Sequence, residues 1–278
     1  MRSFIVPTDF SQNAEHAAAY AVQLARQLKA RIVLMHAYEA PVAISEYEIS
    51  TLHFDTMKDH IFGKLEDSKQ ALQQQFGKEV PIDTVAFSND LIGHIRELYE
   101  DPEARLVVIG LTGSGMAHFF LGSNTLNIVN EVGRIVLTVP PFAEFRPIRT
   151  VVFACDMRQV ALTVPAERIK RILTLLDAEL RILNIRKPGT SSSEAEAERE
   201  ALEKMLEGIP FSFHTMEKGN IVAGITDFAR QERADLIAII PRKHDFLEKL
   251  LRPNHTKAML FKSGVPILTL PPEQSTGG

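Results

Sequence analysis

The sequence predicts an α/β fold in which two tandem copies each form a five-stranded parallel sheet sandwiched between helices. Two observations support this prediction. Short runs rich in Val, Ile and Leu alternate with longer segments whose apolar residues recur at helical spacing. The same series of segments then occurs a second time, about 140 residues later. Alternation of this kind favours right-handed βαβ connections, which make the strands parallel and cover both faces of each sheet.

The elements of the first copy follow in chain order from these patterns. The nearly continuous apolar runs predict five strands buried on both faces: SFIVP, RIVLMHA, VPIDTVAF, RLVVIG and RIVLTVP. The amphipathic segments between them predict helices: QNAEHAAAYAVQLARQLK, KLEDSKQALQQQF, DLIGHIRELYE and SNTLNIVNEV. Residues 41–60 are additional length after the second strand. An elongated helix and loop is the favoured interpretation of this insertion, and a lid or contact arm is the alternative.

Internal matches show that the second half repeats the first. The matching pairs, in the same order in both halves, are FIVPTDF and VVFACDM, ARIVLMHA and AELRILNI, EARLVVIG and RADLIAII, and GRIVLTVPP and GVPILTLPP. A duplication explains four matches in one order. The proline-bearing segment at residues 140–147 joins the copies. We therefore predict two domains, residues 1–143 and residues 144–278, which we call the first and second repeats.

Composition restricts the function classes. The net charge is −4 and the Lys and Arg residues form no block, which argues against binding to nucleic acid. A single cysteine, Cys155, fits a reducing compartment, and a buried inert thiol is its favoured interpretation. The N-terminus lacks a secretory pattern and no apolar run approaches the roughly 20 residues of a membrane span. We expect a cytoplasmic protein.

The histidines and nucleophiles do not form catalytic or metal-binding patterns. The nine histidines show no metal-ligand spacing, and no Ser/His/Asp group recurs at a spacing typical of a nucleophile and its base. We therefore expect no metal site and no catalytic residues, with weak ATP hydrolysis as the upper limit of activity. His36 lies within a predicted strand, and a hydrogen-bonded structural residue is its favoured interpretation.

Two segments follow strands at the edge where open α/β sheets bind ligands. PTDF follows the first strand and GLTGSGMAHFFLGS follows the fourth. Gly110 and Gly113 allow positive φ and a close backbone approach to a ligand. A helix starting at Gly122 and Ser123 offers its amides to an anion. The alternative for the loop is a simple connection capped by Ser123. Asp9 is either a ligand or a residue stabilising helix entry.

These residues resemble the universal stress protein family, and the resemblance covers both halves nearly end to end. ATP-binding members carry a G-x2-G-x9-G-[ST] loop after the fourth strand and an Asp after the first. Gly110, Gly113, Gly122 and Ser123 match that loop, and Asp9 matches the acidic position. Eight residues instead of nine separate Gly113 from Gly122. The resemblance implies an adenine-nucleotide-hydrolase-like fold, and the short loop departs from the phosphate-binding pattern.

The resemblance also implies function. The chain is expected to bind ATP or another adenine nucleotide, accompanied by Mg²⁺, and to regulate a stress response through an unidentified protein partner. The alternatives are a nucleotide-free interaction module and a slow ATPase. The implied binding residues are Pro7, Thr8 and Asp9 beside the adenosine, Ala37 through its main chain beside the adenine, Ile109 and Gly110 beside the nucleoside, and Gly113, Gly122, Ser123 and Asn124 at the phosphates.

The second repeat lacks the glycine loop. Ile240 and Lys243 stand opposite Gly110 and Gly113, and Pro253-Asn254 stands opposite Gly122-Ser123. Proline there removes an N–H that could donate to phosphate. Asp156 is retained opposite Asp9. We predict that this repeat has lost its nucleotide site and serves as a scaffold or partner surface.

The final strands of the two repeats are closely matched and apolar, and an open edge of this kind invites aggregation. Single-copy relatives pair through their last strands. We therefore predict antiparallel contact between residues 135–139 and residues 267–270, with the two repeats arranged as an intramolecular pseudo-dimer about a pseudo-twofold axis. Any homodimer is then expected to use helices or residues 41–60.

Overall fold

The computed structural model describes residues 2–38, 51–100, 104–110, 128, 132–186, 193–241 and 264–273. The chain divides into two compact units, Met1–Val132 and Gly133–Gly278. Each unit is a mostly parallel sheet with helices packed on it, so the α/β class predicted from the sequence is confirmed.

The N-terminal unit contains four parallel strands in the order β3-β2-β1-β4. Its elements are β1 (Ser3–Pro7), α1 (Gln12–Leu28), β2 (Arg31–Tyr38), α2 (Thr51–Phe76), β3 (Ile82–Ser88), α3 (Leu91–Glu100) and β4 (Ala104–Gly110). All five residues of β1 are buried, as expected of a central strand covered on both faces. The core of this unit therefore lies around β1 and its two neighbours.

Helix α1 owes its position to small residues on its buried face. Ala14, Ala17, Ala18, Ala21 and Ala25 are all buried, and short side chains let the helix axis approach the sheet closely. The Ser11 side chain caps the helix by accepting from the Ala14 N–H at 3.3 Å. Lys29 ends it in the left-handed conformation, with a φ of 51°.

Helix α2 accounts for part of the insertion. It runs for 26 residues from Thr51, and this start lies 13 residues before the start of the helical segment predicted from the sequence. The elongated-helix interpretation is thus confirmed for residues 51–60. The rest of the insertion, residues 41–50, lies outside the described residues.

The C-terminal unit has the strand order β5-β10-β9-β6-β7-β8. Its elements are β5 (Val136–Val139), β6 (Thr150–Ala154), α4 (Val160–Thr163), α5 (Ala166–Leu176), β7 (Glu179–Arg186), α6 (Ser193–Met205), β8 (Phe211–Glu217), α7 (Ile221–Gln231), β9 (Leu236–Ile239) and β10 (Ile267–Thr269). The five strands of the second repeat, β6 to β10, are parallel to one another. The five-stranded parallel sheet predicted for this repeat is confirmed.

Strand β5 joins this sheet through the predicted antiparallel contact. Leu137 lies opposite Leu268 in the ladder with β10, and both side chains are buried. The predicted pairing of the terminal strands is therefore confirmed. It also explains why the boundary between the compact units falls at residue 132, before β5, and not at residue 143. The pseudo-twofold axis and the domain limits predicted from the repeats stay predictions.

The first helix differs between the two repeats. Where the first repeat has the continuous helix α1, the second has the short α4 and then α5, with Pro165 between them. Proline lacks the N–H that a continuous helix needs, so the helix is interrupted there. Glu198 on α6 accepts from the Gln159 and Val160 N–H groups at 2.8 and 2.7 Å, so a carboxylate of the chain itself caps the start of α4.

Among the described residues no helix combines the length and apolarity needed to cross a membrane.

Candidate functional site

The candidate site lies at the carboxyl ends of β1 and β4. Strands β2 and β3 lie on one side of β1, whereas β4 lies on the other, so the strand order reverses direction between β1 and β4. Ile5 pairs with Val107, and the two strands consequently end side by side at Pro7 and Gly110. Ligands of open α/β sheets bind at such a reversal. The topology thus brings PTDF beside Gly110, the first residue of the second segment that the sequence singled out, and the rest of that segment lies outside the described residues.

A compact turn, residues 8–11, leads from β1 into α1. The Thr8 N–H donates to the Met35 carbonyl of β2 at 2.8 Å, and the Thr8 hydroxyl accepts from the Phe10 N–H at 3.0 Å. Phe10 adopts a φ of 62°, which reverses the chain before the helix begins. The turn is therefore fixed by its own hydrogen bonds and by β2.

Asp9 takes part in this turn. One of its carboxylate oxygens, Oδ1, accepts from the Ser11 N–H at 3.0 Å, and its side chain is partly exposed. The helix-entry interpretation of Asp9 is confirmed by this bond. A carboxylate has two oxygens and about four acceptor positions. A ligand role beside the structural one is thus chemically compatible, and it stays a prediction.

Gly110 is required by packing and not by its backbone angle. A Cβ at this position would lie 2.5 Å from the Asn13 carbonyl oxygen and 2.8 Å from its carbon, in the first turn of α1. Its φ lies outside the left-handed range, so the positive φ expected at Gly110 is wrong. The close approach at this glycine is between the end of β4 and the start of α1. The approach to a ligand expected there stays a prediction.

His36 lies beside the turn on β2. Its Nδ1 lies 2.8 Å from the Thr8 carbonyl oxygen, and its ring centroid is 4.5 Å from that of Phe10. The hydrogen-bonded structural role predicted for His36 is confirmed. Burial is the main cause that lowers its pKa, and Lys64 on α2 lowers it further, while the Thr8 bond and Asp9 oppose the shift. The Lys64 ammonium also lies 5.5 Å from the Phe10 ring centroid. Sequence reasoning gave no role to Phe10, the last residue of PTDF, or to Lys64, because contacts between different elements leave no local pattern.

Ala37 is the second-to-last residue of β2 and is buried. It pairs with Phe87 of β3, and the Phe87 ring stacks on His94 of α3 with centroids 3.9 Å apart. An aromatic pair therefore borders the backbone assigned to the adenine. The sequence shows no specific pattern for this pair, because Phe87 and His94 are simply two rings seven residues apart on either side of the end of β3.

The remaining predicted residues divide into two groups. Pro7, Thr8 and Ile109 are buried at the strand ends already described. The residues predicted to contact the phosphates lie outside the described residues: Gly113, Gly122, Ser123 and Asn124.

The second repeat preserves the turn while changing its surroundings. The Cys155 N–H donates to the Leu183 carbonyl at 2.9 Å, and Met157 has a φ of 53°, matching Thr8 and Phe10 of the first repeat. Ile185 replaces Ala37, and its Cδ1 lies 2.6 Å from where a Cβ on Gly224 would stand. A branched side chain therefore packs against α7 beside this strand end. The loop opposite the glycine loop, residues 242–263, lies outside the described residues.

Within the described part of the chain, no cluster of three His, Cys, Asp or Glu side chains has a metal-binding arrangement.

Comparison with solved structures identifies similar folds. A universal stress protein from Archaeoglobus fulgidus has a TM-score of 0.69 at 16% sequence identity, covering 96% of this chain and 97% of its own. A protein from Pseudomonas aeruginosa described as a putative universal stress protein has a TM-score of 0.54 at 15% identity, covering 98% of this chain and 94% of its own. At these identities the likeness concerns the fold. Comparison with curated proteins gave no match.

The family model of the universal stress proteins matches the sequence twice, at residues 1–140 and 147–271. The two matches cover nearly the whole chain and coincide with the two repeats. This chain therefore belongs to the universal stress protein family.

Proposed function

We propose that the first repeat binds an adenine nucleotide, ATP with Mg²⁺ being the leading candidate, and that its occupancy changes the binding of a protein partner in a stress response. The observation that carries this proposal is the meeting of the Thr8-Asp9 turn with Gly110 at the reversal of strand order. The first turn of α1 adjoins both. A carboxylate, the end of β4 and the first turn of α1 thus meet at the sheet edge where open α/β sheets bind ligands.

The proposed residue roles follow from position at the carboxyl ends of β1, β2 and β4. The Asp9 carboxylate binds the ribose hydroxyls, because it lies after β1 and keeps acceptor capacity beyond its bond to Ser11. The main chain at Ala37 recognises the adenine, and Ile109 and Gly110 contact the nucleoside. Four residues of the glycine loop and the helix start that follows it hold the phosphates: Gly113, Gly122, Ser123 and Asn124.

The second repeat is proposed to carry no nucleotide. Ile185 packs against Gly224 of α7 beside the end of its second strand, and Glu198 already caps the start of α4. It then acts as the scaffold or partner surface.

A calorimetric titration with ATP and Mg²⁺ tests the proposal. Asp9→Asn is the informative variant, because an amide oxygen can still accept from the Ser11 N–H while the negative charge is removed. We expect saturable binding to the unaltered protein and an affinity about 10-fold or more weaker in Asp9→Asn, since hydrogen bonds to charged groups contribute about 1.5–3 kcal/mol. Asp156→Asn, the same change in the second repeat, is the matched control and should bind as the unaltered protein does.

A nucleotide-free interaction module is the second candidate, and the shortened spacing between Gly113 and Gly122 favours it. Absence of saturable heat with the unaltered protein would establish this candidate instead. Loss of binding in Asp156→Asn with retention in Asp9→Asn would show that the wrong repeat had been assigned.

A further inference from the structure

We propose that His36 is a positioning residue of the nucleotide site: its Nδ1–H holds the Thr8 carbonyl and thereby fixes the peptide that precedes Asp9. This inference rests on the proposed function, because it concerns the same site. It assigns a role to a side chain of β2 that acts through the Thr8 carbonyl.

The geometry defines which atom donates. A carbonyl oxygen only accepts, so the 2.8 Å contact requires the proton on Nδ1. Thr8 is then held at both of its backbone groups by consecutive residues of β2, its N–H by Met35 and its C=O by His36. Because a peptide unit is planar, fixing the Thr8 carbonyl also fixes the direction in which the chain enters Asp9.

The second repeat makes the same bond with a different side chain. Asn184 stands opposite His36, and its Nδ2 donates to the Cys155 carbonyl at 2.9 Å. Cys155 stands opposite Thr8, so the same carbonyl is held in both repeats. The shared requirement is therefore a side-chain donor at this position of the second strand, and asparagine is a demonstrated substitute for histidine.

The surroundings of His36 keep its ring in place. Phe10, the residue after Asp9, contacts the imidazole, so the ring touches the turn at two points. The charged groups that act on it are Asp9 from the α1 entry and Lys64 from α2, while β3 presents the uncharged Ala86 in register. Burial lowers the pKa of His36 and favours the neutral imidazole, whose one N–H is then the donor to Thr8.

Three variants of the full-length protein test the proposal by calorimetric titration with ATP and Mg²⁺. His36→Leu keeps the bulk and removes the donor, and we expect at least about 10-fold weaker binding. His36→Asn supplies the donor that the second repeat uses, and should restore the affinity to within about 3-fold of the unaltered protein. Asn184→Leu breaks the matching bond in the second repeat and should leave the ATP affinity unchanged, although it removes a comparable buried bond.

Thermal unfolding of each variant separates positioning from general destabilisation. Supporting the proposal requires that His36→Leu and Asn184→Leu both lower the melting temperature while only His36→Leu loses affinity. If His36→Leu does not fold, His36→Ala gives the same comparison, because it also lacks a donor and leaves room for the backbone to stay in place.

The failures of the two proposals differ. Equal ATP affinities in the unaltered protein, His36→Leu and His36→Asn would overturn the positioning role and leave the nucleotide site standing. Weak binding in His36→Asn as well as His36→Leu would also overturn it, since a restored donor would then not suffice. An unaltered protein that binds no ATP would overturn the proposed function, and the positioning role with it.

Discussion

Two residues on neighbouring strands contact the backbone between the end of β1 and the first turn of α1. His36 on β2 holds the Thr8 carbonyl, and Gly110 on β4 lies against the Asn13 carbonyl at the start of α1. Neither residue is an expected catalytic group. In the proposed nucleotide site they fix the backbone that carries the Asp9 carboxylate, since a binding group must be held in place by its neighbours to act.

Gly110→Ala should be destabilising although alanine is the smallest substitution. Its Cβ would meet backbone atoms 2.5 and 2.8 Å away, and backbone cannot move aside as a flexible side chain can. We expect a loss of about 1–3 kcal/mol in the free energy of unfolding, typical of overpacking, measured by urea denaturation. Gly63→Ala is the matched control, because nothing lies within 4 Å of its Cβ inside α2, and it should stabilise by up to about 1 kcal/mol. Equal stability of Gly110→Ala and the unaltered protein would refute this packing.

The pKa of His36 predicts a pH dependence of stability. Burial lowers this pKa in the folded protein below its value of about 6.5 in the unfolded chain. The neutral ring therefore contributes its full stability above pH 6.5, and this contribution is lost as the pH falls through the folded pKa. Asparagine does not titrate. Melting temperatures measured from pH 8 to pH 5 should fall more steeply for the unaltered protein than for His36→Asn, and parallel curves would contradict the assignment.

Local sequence patterns predicted where the strands and helices lie. They did not predict why particular residues are required at their positions. The apolar runs and helical spacings depend on neighbours in sequence, and β1, α1, β3 and α3 lie where those patterns place them. The matched terminal strands also predicted the β5–β10 ladder, because exposed apolar edges have few alternatives to pairing.

The features that sequence reasoning did not predict come from contacts between different elements. Gly110 was expected to need a positive φ, but what requires glycine is the approach of α1, almost 100 residues away in sequence. The capping of α4 by Glu198 spans 38 residues and has no local signature. The Phe87–His94 stack likewise depends on how α3 packs on β3. A sequence pattern reports periodicity and local turns, and it contains no direct record of such contacts.

The ladder between β5 and β10 offers a test at this scale. Leu137→Asp combined with Leu268→Asp places two buried carboxylates opposite each other, which should cost several kcal/mol and open the segment at residues 140–147 to protease. Subtilisin digestion followed by mass spectrometry measures this cleavage. Leu162→Asp with Leu175→Asp is the control, since those side chains are 62% and 37% exposed and should tolerate the same change. Unchanged cleavage in the first double variant would be evidence against the ladder.

For the whole molecule, duplication followed by divergence explains the different surroundings of two similar turns. Both repeats keep a residue with a positive φ in the turn, Phe10 in the first and Met157 in the second. Both also keep a side-chain donor to the carbonyl two residues earlier. The first repeat keeps the glycine loop in its sequence, whereas the second has proline and bulky residues there. In the second repeat Ile185 packs against Gly224 of α7 beside the strand end. These differences support the proposal that only the first repeat binds a nucleotide.

The stoichiometry of nucleotide binding tests this account most directly. Equilibrium dialysis of the full-length protein against labelled ATP and Mg²⁺, at concentrations well above the dissociation constant, counts the sites without any substitution. The account predicts close to one nucleotide bound per chain, displaced by unlabelled ATP. A value near zero would contradict nucleotide binding by the first repeat, and a value near two would contradict the loss of the site in the second.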